Sequence, residues 1–502
     1  MSVTPRCMAL LSAHLRSSKC SMSGKWRRLI KPVADSFCTN LNEHKGCVNN
    51  LTEELIPMIA PTPAITATLM VRINPITTLL DAQQVVWRIV GGAVRDAVCG
   101  VIAREIDVEV VHADITEVNT WIIAVYPQAL IVGHEKPIIR LRMDADWIDI
   151  SVTATADLHT AALARDITMN AMMIDATGRF VDPCGGLADM QAGILRHCSD
   201  AFADDPLRVL RLMRFAGQYG FVVAPETAAQ SQALRPAAAQ LTRERVWLEW
   251  QQWALRSHNP RAGLQALHQC GWLDYYPMLL ALVDCPQDPT YHPEGDVWQH
   301  TLWVCNAAVG LSVDLDDEQR LIVMLAALCH DLGKPTTTSR NDAGRIVSPG
   351  HAEAGDAPTR AFLALINAPE RYVAPVTALV REHMVGVSGQ PSPRMVRRLA
   401  QRLAPATIDL WSRITGADGG GRPPLPAVNS GAACVALAQS LGVVTGKPVA
   451  LIRGEDVMRL GVPQGPQIGD LLQRAYDAQL DGVFATREQA LAWLQETWYT
   501  DI

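Results

Sequence analysis

Two carboxylates that follow a pair of glycines give this sequence a pattern suited to binding phosphate and metal together. Gly91 and Gly92 come after the strand-like run WRIV, and the next strand-like run starts with Glu105 and Asp107. Glycines let backbone N–H groups approach a phosphate closely, and the helix start that follows them favours an anion. Side chains of a strand alternate between its faces, so the two carboxylates share one face. They repel each other unless a cation lies between them.

Mg²⁺ suits such a pair, because it prefers oxygen ligands and is usually held by one or two carboxylates together with substrate phosphates. Glu109 shares the face, and we expect Asp149, in the run WIDISV, to add a third carboxylate from a neighbouring strand. Two metal ions about 3.5–4 Å apart would stabilise both oxygens of an in-line phosphoryl transfer. A solvated strand face is the alternative interpretation of an isolated pair of this kind.

A second set of residues with ligand chemistry lies further along the chain. The pair His330-Asp331 ends the apolar helical run LAALCHDLGK, and four other residues accompany it: His300, His351, His383 and Asp418. Imidazole and carboxylate ligands together suit Mn, Fe, Co, Ni or Zn. Capped helices with incidental histidines are the alternative.

The elements that position these residues predict an α+β protein of several domains. From about Val85 the runs VVWRIV, IDVEVV, PIIRLRM and WIDISV read as strands of a small mixed α/β domain. After Gly185 helical patterns dominate, as in DPLRVLRLMRFAGQYG, ERVWLEWQQWAL and PRMVRRLAQRLA. The glycine- and proline-rich stretch at 417–431 is interpreted as a break before a last helical segment.

Composition limits the class of protein. No apolar run approaches the roughly 18–20 residues of a membrane span, and the N-terminus lacks a signal-peptide pattern, so we expect a cytoplasmic protein without a membrane partner. The 12 cysteines contain no C-x-x-C pair and are interpreted as free thiols. Although the net charge is −7, arginines outnumber acids between Arg196 and Arg261 and between Arg381 and Arg402. A polyanion could follow these segments, although solvated helix faces explain each of them equally well.

Several motifs in this order resemble those of one family, the class II tRNA CCA-adding enzymes and bacterial poly(A) polymerases. The motifs are GGAVRD at 91–96, the acidic pair, ARDITMNAM at 164–172, VDPCGGLADM at 181–190, DDPLRVLRLMRF at 204–215 and RERVWLEW at 243–250. The resemblance covers roughly residues 85–497. It implies a polymerase-β-like mixed-sheet nucleotidyltransferase head, followed by mostly α-helical neck, HD and tail domains.

The resemblance also implies functional residues. Glu105 and Asp107, with Asp149, would be catalytic, and the first two would hold Mg²⁺. The residues expected to bind the nucleotide are Gly91, Gly92 and Arg95 at the triphosphate, Arg165 and Asp166 at the ribose, Asp205 and Arg208 at the base, and Asn170, Arg211 and Arg214 in the same motifs.

Elementary chemistry agrees with base recognition by Asp205 and Arg208, which are spaced as neighbours on a helix. Cytosine and adenine both present an amino donor beside a ring-nitrogen acceptor, so a carboxylate and a guanidinium match both bases. Asp205 followed by Pro206 is also an ordinary helix N-cap, and the two interpretations are compatible.

The histidine and aspartate set resembles that of the HD phosphohydrolases. This implies that His300, His330, Asp331 and Asp418 bind a divalent transition metal (Ni, Co, Mn, Fe or Zn). His351 and His383 are candidates for a second metal site or for phosphate binding. A water at such a metal would attack a phosphoester.

We therefore expect a tRNA nucleotidyltransferase that adds C and A from CTP and ATP to tRNA 3′ ends, with phosphatase or 2′,3′-cyclic phosphodiesterase activity in the HD domain. An enzyme that adds only A, only C or poly(A) is an open alternative. The family has Asp where this chain has Glu105, and Arg where it has Ala164. These departures favour a further alternative, an HD phosphohydrolase whose degenerate head only binds RNA; a catalytically silent RNA-binding protein is the third.

The predicted domains are five. They are residues 1–70, an N-terminal extension or the product of a misplaced start, expected to be poorly ordered; 71–192, the head; 193–280, the helical neck with the base-reading motif; 281–425, the HD domain; and 426–502, a C-terminal helical segment.

Overall fold

The fold is described from a computed structural model, in which residues 60–112, 114–133, 137–386 and 389–500 are described. The predicted extension therefore lies outside the described residues up to position 59. Its predicted end at residue 70 falls inside a helix, α1, which spans Pro63–Ala82. Leu69, Ile73, Ile76 and Leu80 of α1 are fully buried at helical spacing, so residues from Pro63 onward belong to the head.

A seven-stranded mixed sheet forms the head, in the order β3-β4-β5-β2-β1-β6-β7. Its strands are β1 (Trp87–Val90), β2 (Glu105–Val111), β3 (Leu130–Val132), β4 (Ile138–Met143), β5 (Asp146–Thr153), β6 (Met173–Asp175) and β7 (Phe180–Val181). The four runs read as strands in the sequence form β1, β2, β4 and β5. β2 and β5 are parallel, and the other neighbours are antiparallel.

Alternation along β2 and β5 separates a core face from an open face. Ile106 and Val108 of β2 and Ile148 and Ile150 of β5 are buried in the main core, with residues of α1. The acidic residues of the same strands point to the opposite face, as expected from a period of two. The sheet thus holds its carboxylates on a rigid surface whose other side is packed.

Helices account for most of the chain beyond the head. The helices after α1 are α2 (Gly92–Val98), α3 (Ile115–Val125), α4 (Leu158–Leu163), α5 (Gly186–Ala192), α6 (Leu207–Tyr219), α7 (Pro225–Ala233), α8 (Arg243–Arg256), α9 (Pro260–Gln269), α10 (Pro277–Leu280), α11 (Val297–Gly310), α12 (Asp317–Cys329), α13 (Lys334–Thr337), α14 (His351–Ala354), α15 (Asp356–Leu365), α16 (Glu370–Glu382), α17 (Pro393–Leu403), α18 (Ile408–Gly420), α19 (Ala432–Ser440), α20 (Gly454–Arg459), α21 (Pro466–Asp481) and α22 (Arg487–Thr500). Two short strand pairs interrupt them: β8 (Ile194–Leu195) with β9 (Val222–Val223), and β10 (Ser339–Arg340) with β11 (Ile346–Val347).

The glycine-rich stretch at 417–431 leads from α18 to α19. Its first residues continue α18, which ends at Gly420. A Cβ at Gly419 would lie 1.9 Å from the carbonyl oxygen of Val428, and one at Gly421 would lie 2.3 Å from Cγ2 of Val304. These glycines are therefore required by close packing within the HD region.

No helix within the described part of the chain is long and apolar enough to span a bilayer. The cysteines that the structure describes are free, as predicted. A small separate core forms among α20, α21 and α22, with Val457, Ala490 and Leu494 fully buried.

Candidate functional site

The acidic pair lies where β2 runs beside β5. In the register of these parallel strands, Glu105 is the Cα partner of Trp147 and Asp107 is the partner of Asp149. Partners in adjacent strands point to the same face and lie about 4.8 Å apart. The structure thus brings Glu105, Asp107 and Asp149 together, as the sequence predicted.

Asp107 is a carboxylate whose surroundings disfavour its charge. Burial raises its pKa above the usual range, and the neighbouring carboxylates of Asp149 and Glu105 raise it further. Neither Glu105 nor Asp107 forms an ion pair with a described residue. Arg165 lowers the pKa of Asp107 through its charge without contacting it as an ion pair, and the oxygen donors that the pair offers are those that Mg²⁺ prefers.

The other two carboxylates on this face already have cationic partners. Asp149 accepts two hydrogen bonds from Arg140, at 2.8 Å from Nε and 2.6 Å from Nη2. Glu109 accepts from Nε of Arg88 at 2.6 Å and from Nη2 of Arg165 at 2.7 Å. Of the predicted carboxylates, Glu105 and Asp107 are thus the two that have no ion-pair partner among the described residues.

The glycine turn touches this pair directly. Gly91 has φ +69° and ψ −135°, a conformation that is open only to glycine. A Cβ at this position would lie 2.9 Å from Oδ2 of Asp107. The next backbone N–H, that of Gly92, donates a hydrogen bond to the Asp107 carboxylate. The turn therefore fixes the position of the second acid as well as the path of the backbone.

A polar network connects the head to α6. Arg95 donates to Oδ1 of Asn170 at 2.8 Å, and its guanidinium lies 5.2 Å from the centre of the Phe215 ring. Asp166 accepts from Nδ2 of Asn170 at 3.0 Å and from Nε of Arg211 at 2.7 Å. Burial opposes the ionisation of Asp166, but Arg211 and these hydrogen bonds hold its pKa below the usual range. Contacts of these residues with triphosphate and ribose stay predictions.

The base-reading candidates lie at the start of α6. Asp205 accepts from the backbone N–H of Leu207 at 3.1 Å, which caps the helix, and from Nη2 of Arg245 at 2.6 Å. Arg208 donates to the backbone carbonyls of Ala201 and Ala164. Arg245, which belongs to the motif RERVWLEW, is therefore a neighbour that sequence reasoning did not place beside Asp205.

Arg214, the last nucleotide-binding candidate, lies on α6. Its Nε donates to Glu249 of α8 at 2.6 Å, and its guanidinium lies 3.9 Å from the centre of the Phe215 ring. These contacts tie α6 to α8 behind the base-reading residues.

In the HD region the four predicted ligands converge. Nε2 of His300 lies 3.1 Å from Oδ1 of Asp418 and 3.7 Å from Oδ2 of Asp331. Nε2 of His330 lies 3.1 Å from the same Asp331 oxygen. All four side chains come from helices or helix ends of one packed unit, so their positions are fixed by the core.

His351 and His383 join the same cluster from the other side of Asp331. Oδ1 of Asp331 lies 3.4 Å from Nε2 of His351 and 4.0 Å from Nε2 of His383, and the two histidine nitrogens are 3.2 Å apart. Asp331 thus faces two groups of imidazoles, one with each oxygen. Among the described residues, the sets of three or more donors within 4.8 Å of one another all belong to this region.

The histidines of the cluster differ in their protonation. Nε2 of His330 is buried, with Oδ2 of Asp331 beside it at 3.1 Å. Burial would lower the pKa of His300, but hydrogen bonds to Asp418 and Glu294 raise it to about 9. Burial and the neighbouring His330 lower the pKa of His383 to about 4, so this imidazole is neutral, the form that binds metals. A metal ion would have to displace the proton of His300, after which neutral imidazoles and ionised carboxylates fit a divalent transition metal.

Sequence reasoning missed three residues around this cluster. Oε1 of Glu294 lies 2.8 Å from Nδ1 of His300 and 2.9 Å from Nδ1 of His292, and Nζ of Lys334 lies 2.7 Å from Oδ2 of Asp331. Burial opposes ionisation of Glu294, but its two histidine partners lower its pKa to about 2. The signal was the run HPEGDVWQH, in which two further ligand-type residues precede His300 by six and eight positions.

Sequence models of two domain families match the chain in this order. The poly A polymerase head domain matches residues 87–196, and the HD domain matches residues 297–414. The first match contains the glycine turn and the acidic pair. The second contains every histidine of the cluster except His292, and it ends before Asp418.

Solved structures share the fold. The CCA-adding enzyme of Bacillus stearothermophilus in complex with CTP superimposes with a TM-score of 0.61 at 20% identity, covering 86% of this chain and 98% of that one. The Thermotoga maritima CCA-adding enzyme complexed with tRNA superimposes with a TM-score of 0.55 at 16% identity, covering 88% and 98%. The mixed-sheet head with a largely helical remainder, predicted from the sequence, is thus confirmed.

Several sequence relatives share one name. The "Multifunctional CCA protein" of Halorhodospira halophila is 36% identical over 314 residues, which are 59% of this chain and 72% of that protein. The protein of the same name from Nitrosococcus oceani is 33% identical over 401 residues, which are 74% of this chain and 94% of that protein. With this similarity, a matching head and a matching HD domain, the chain belongs to the multifunctional CCA protein family.

Proposed function

We propose that this protein adds C and A nucleotides from CTP and ATP to the 3′ ends of tRNA without a nucleic-acid template. The observation that carries the proposal is the pair Glu105 and Asp107 beside the Gly91 turn, which has no ion-pair partner among the described residues. The name shared by the sequence relatives supports the same reaction.

In this proposal, different residues of the head bind the metal ion and the nucleotide phosphates. Glu105 and Asp107 hold the cation, which we take to be Mg²⁺ because the donors are carboxylate oxygens. Bound there, the cation neutralises and aligns the phosphates of the incoming nucleotide. The backbone at Gly91 and Gly92 lies beside these phosphates, and Arg140 keeps Asp149 compensated at the edge of the site. Phosphoryl transfer of this kind depends mostly on positioning and on charge stabilisation.

Base selection falls to the start of α6 in this proposal. Asp205 accepts a hydrogen bond from the amino group of cytosine or adenine, and Arg208 donates to the adjacent ring nitrogen. Uracil and guanine present a carbonyl oxygen to the carboxylate, which repels it. Arg165 and Asp166 lie at the ribose, and the network through Asn170 and Arg211 keeps the head aligned with this helix.

The decisive experiment uses tRNA transcripts that lack A, CA or CCA, with one labelled nucleotide at a time. The unchanged protein should extend each transcript to CCA, whereas Asp107→Ala should incorporate nothing and keep its circular dichroism spectrum. Product length separates CCA addition from the addition of A alone, C alone or poly(A). Normal incorporation by Asp107→Ala would refute the assignment, and no incorporation by the unchanged protein would favour a head that only binds RNA.

We propose a second activity for the HD region, the hydrolysis of phosphomonoesters or 2′,3′-cyclic phosphodiesters at RNA ends. Six convergent side chains support it, with Asp331 between two groups of imidazoles. A transition metal bound there supplies a Lewis acid and lowers the pKa of water. The residues His300, His330, Asp331 and Asp418 hold this metal, while His351 and His383 bind either a second ion or the substrate phosphate.

Metal analysis tests this second proposal. The purified protein should contain a transition metal, and His330→Ala should lose most of it together with hydrolysis of a 2′,3′-cyclic nucleotide. Nucleotide incorporation by the same variant should persist, since its head is unchanged. Equal metal contents in both proteins would argue against the site.

We also propose the layout that these activities imply. The head extends to about residue 192, the neck covers 193–280, the HD domain covers 281–425 and the tail follows. The basic helices between Arg196 and Arg261 bind the tRNA, so Arg→Glu changes at their exposed arginines should weaken binding and flatten its salt dependence. A protein with this substrate belongs where tRNA is processed, and we assign it to the cytoplasm.

A further inference from the structure

The open face of the head sheet continues beyond the acidic pair toward β4 and β3. Trp147 is the register partner of Glu105 on one side and of Arg142 on the other. Arg140, the partner of Asp149, lies on the same face, and so does Leu130 of β3. A strip of exposed side chains therefore leads away from the acidic pair across two strands.

Trp147 is more exposed to solvent than the tryptophans of the core. Five tryptophans in the described part of the chain are fully buried: Trp250, Trp253, Trp272, Trp298 and Trp411. The indole of Trp147 is 40% exposed. An indole on an open sheet face, next to carboxylates, contributes little to the core, and it offers a flat apolar surface for stacking.

Two guanidinium groups flank this indole. Those of Arg140 and Arg142 lie 5.8 and 5.9 Å from the centre of the Trp147 ring. Arg140 is engaged by Asp149, whereas Arg142 forms no ion pair with a residue that the structure describes, and its one hydrogen bond goes to the backbone of Asp144. The strip thus combines an exposed aromatic ring with an uncompensated positive charge, the combination that binds single-stranded nucleic acid.

The geometry of an in-line transfer indicates which substrate this strip would contact. In an in-line transfer the attacking oxygen and the leaving group lie on opposite sides of the phosphorus. The glycine turn that holds the phosphates follows β1, on one side of β2, whereas Trp147 and Arg142 lie on β5 and β4, on its other side. The RNA end that supplies the attacking oxygen should therefore approach over β5 and β4.

We propose that Trp147 stacks against the 3′-terminal base of the RNA primer while Arg142 binds the adjoining phosphate. This inference rests on the proposed nucleotidyl transfer and names the surface that receives the acceptor RNA. Stacking tolerates any base, because every base has a π face, so the same indole accepts the growing end after each addition. The incoming nucleotide is held separately, at the glycine turn and α6.

Steady-state kinetics with separate variation of RNA and nucleotide test the proposal. Trp147→Ala should raise the KM for the tRNA primer by about 5- to 150-fold, the range expected for the loss of one stacked base. The KM for CTP and ATP should stay unchanged, which also reports an intact fold. Trp147→Phe should retain most of the primer affinity. Arg142→Gln should lower the slope of log K against log salt by about 1.

A matched control lies in the HD region. Tyr291 is also an exposed aromatic residue beside an arginine, with the guanidinium of Arg345 lying 5.1 Å from its ring. Tyr291→Ala should leave the KM for tRNA unchanged. A primer that ends in 2-aminopurine gives a direct readout, because stacking on an indole quenches its fluorescence. Quenching should occur with the unchanged protein and with Tyr291→Ala, and it should be lost with Trp147→Ala.

The outcomes separate this inference from the proposed function. If the unchanged protein extends tRNA and Trp147→Ala has the same primer KM and the same quenching, the inference is wrong and the transferase assignment stands. A rise in the KM for CTP or ATP alone would also overturn it, because the indole would then serve the incoming nucleotide. If the unchanged protein extends no primer, the proposed function itself fails.

Discussion

Replacement of Asp107 by asparagine should stabilise the metal-free protein while abolishing nucleotide transfer. Asp107 is largely buried beside two other carboxylates, and its pKa in the folded protein is raised by burial and by Asp149. Its ionisation therefore opposes folding. This cost is absent below the unfolded-state pKa of about 3.9 and complete above the folded-state pKa, so the two proteins should be equally stable in acid and diverge toward neutral pH.

The size of the effect follows from the strand register. Partners in adjacent strands lie about 4.8 Å apart, and two like charges at about 5 Å repel by about 3 kcal/mol at an effective dielectric constant of about 20. Arg140 compensates Asp149 and offsets most of this repulsion. We therefore expect Asp107→Asn to add about 1 kcal/mol, or about 2–4 °C in the melting midpoint of a unit of 150–250 residues.

Thermal melts in EDTA and in Mg²⁺ with CTP provide the assay. In EDTA the variant should melt higher. With ligand at about 100 times its Kd, binding raises the free energy of unfolding of the unchanged protein by about 2.7 kcal/mol. The variant should bind little ligand, so the order of the two melting temperatures should reverse. A variant that melts below the unchanged protein in EDTA at neutral pH would show that Asp107 is a structural acid with a partner, and the argument for a cation at this pair would be lost.

Three further changes have definite expected outcomes. Gly91→Ala should cost about 1–3 kcal/mol of stability through its backbone conformation and, by moving the adjacent carboxylate, lower kcat by about 100-fold, as measured by melting and single-nucleotide addition. Glu294→Gln should weaken metal binding by about 10- to 100-fold, measured by competition with a chelator, because Glu294 orients His300 from outside the ligand set. Arg211→Met should destabilise the head by about 2 kcal/mol, less than the ~3–5 of a fully buried pair because Arg211 is partly exposed. Since the pKa of Asp166 is lowered in the fold, this difference should be present above about pH 4 and disappear as the pH falls further.

Local pattern was sufficient to predict the strands that carry the acidic pair. The runs that became β2, β4 and β5 alternate with a period of two, and the same alternation placed Glu105 and Asp107 on one face. The expectation of Asp149 as a neighbour also implied that β2 and β5 are adjacent, whereas their parallel direction was not predicted. These inferences needed only residues close in sequence and one simple packing assumption.

Contacts between distant segments could not be predicted in the same way. The sequence does not indicate that Arg140 binds Asp149, or that Arg95 packs against Phe215 across more than a hundred residues. Glu294 could have been found, because it precedes His300 within one short polar run. The sequence reasoning did not recognise α1 as a helix, because this segment contains Pro75 and follows a proline-rich stretch.

The tight glycines at the end of α18 limit where this chain can be divided. A Cβ added to Gly421 would collide with Val304 and would lie 3.3 Å from the His300 ring. The carbonyl oxygen of Gly421 is 3.2 Å from Nδ1 of that ring. A protease site, a fusion junction or a circular-permutation point placed here would open the wall of the histidine cluster, although the residue composition suggests a tolerant linker. An excised HD fragment should therefore extend beyond Val428, whose carbonyl oxygen packs against Gly419.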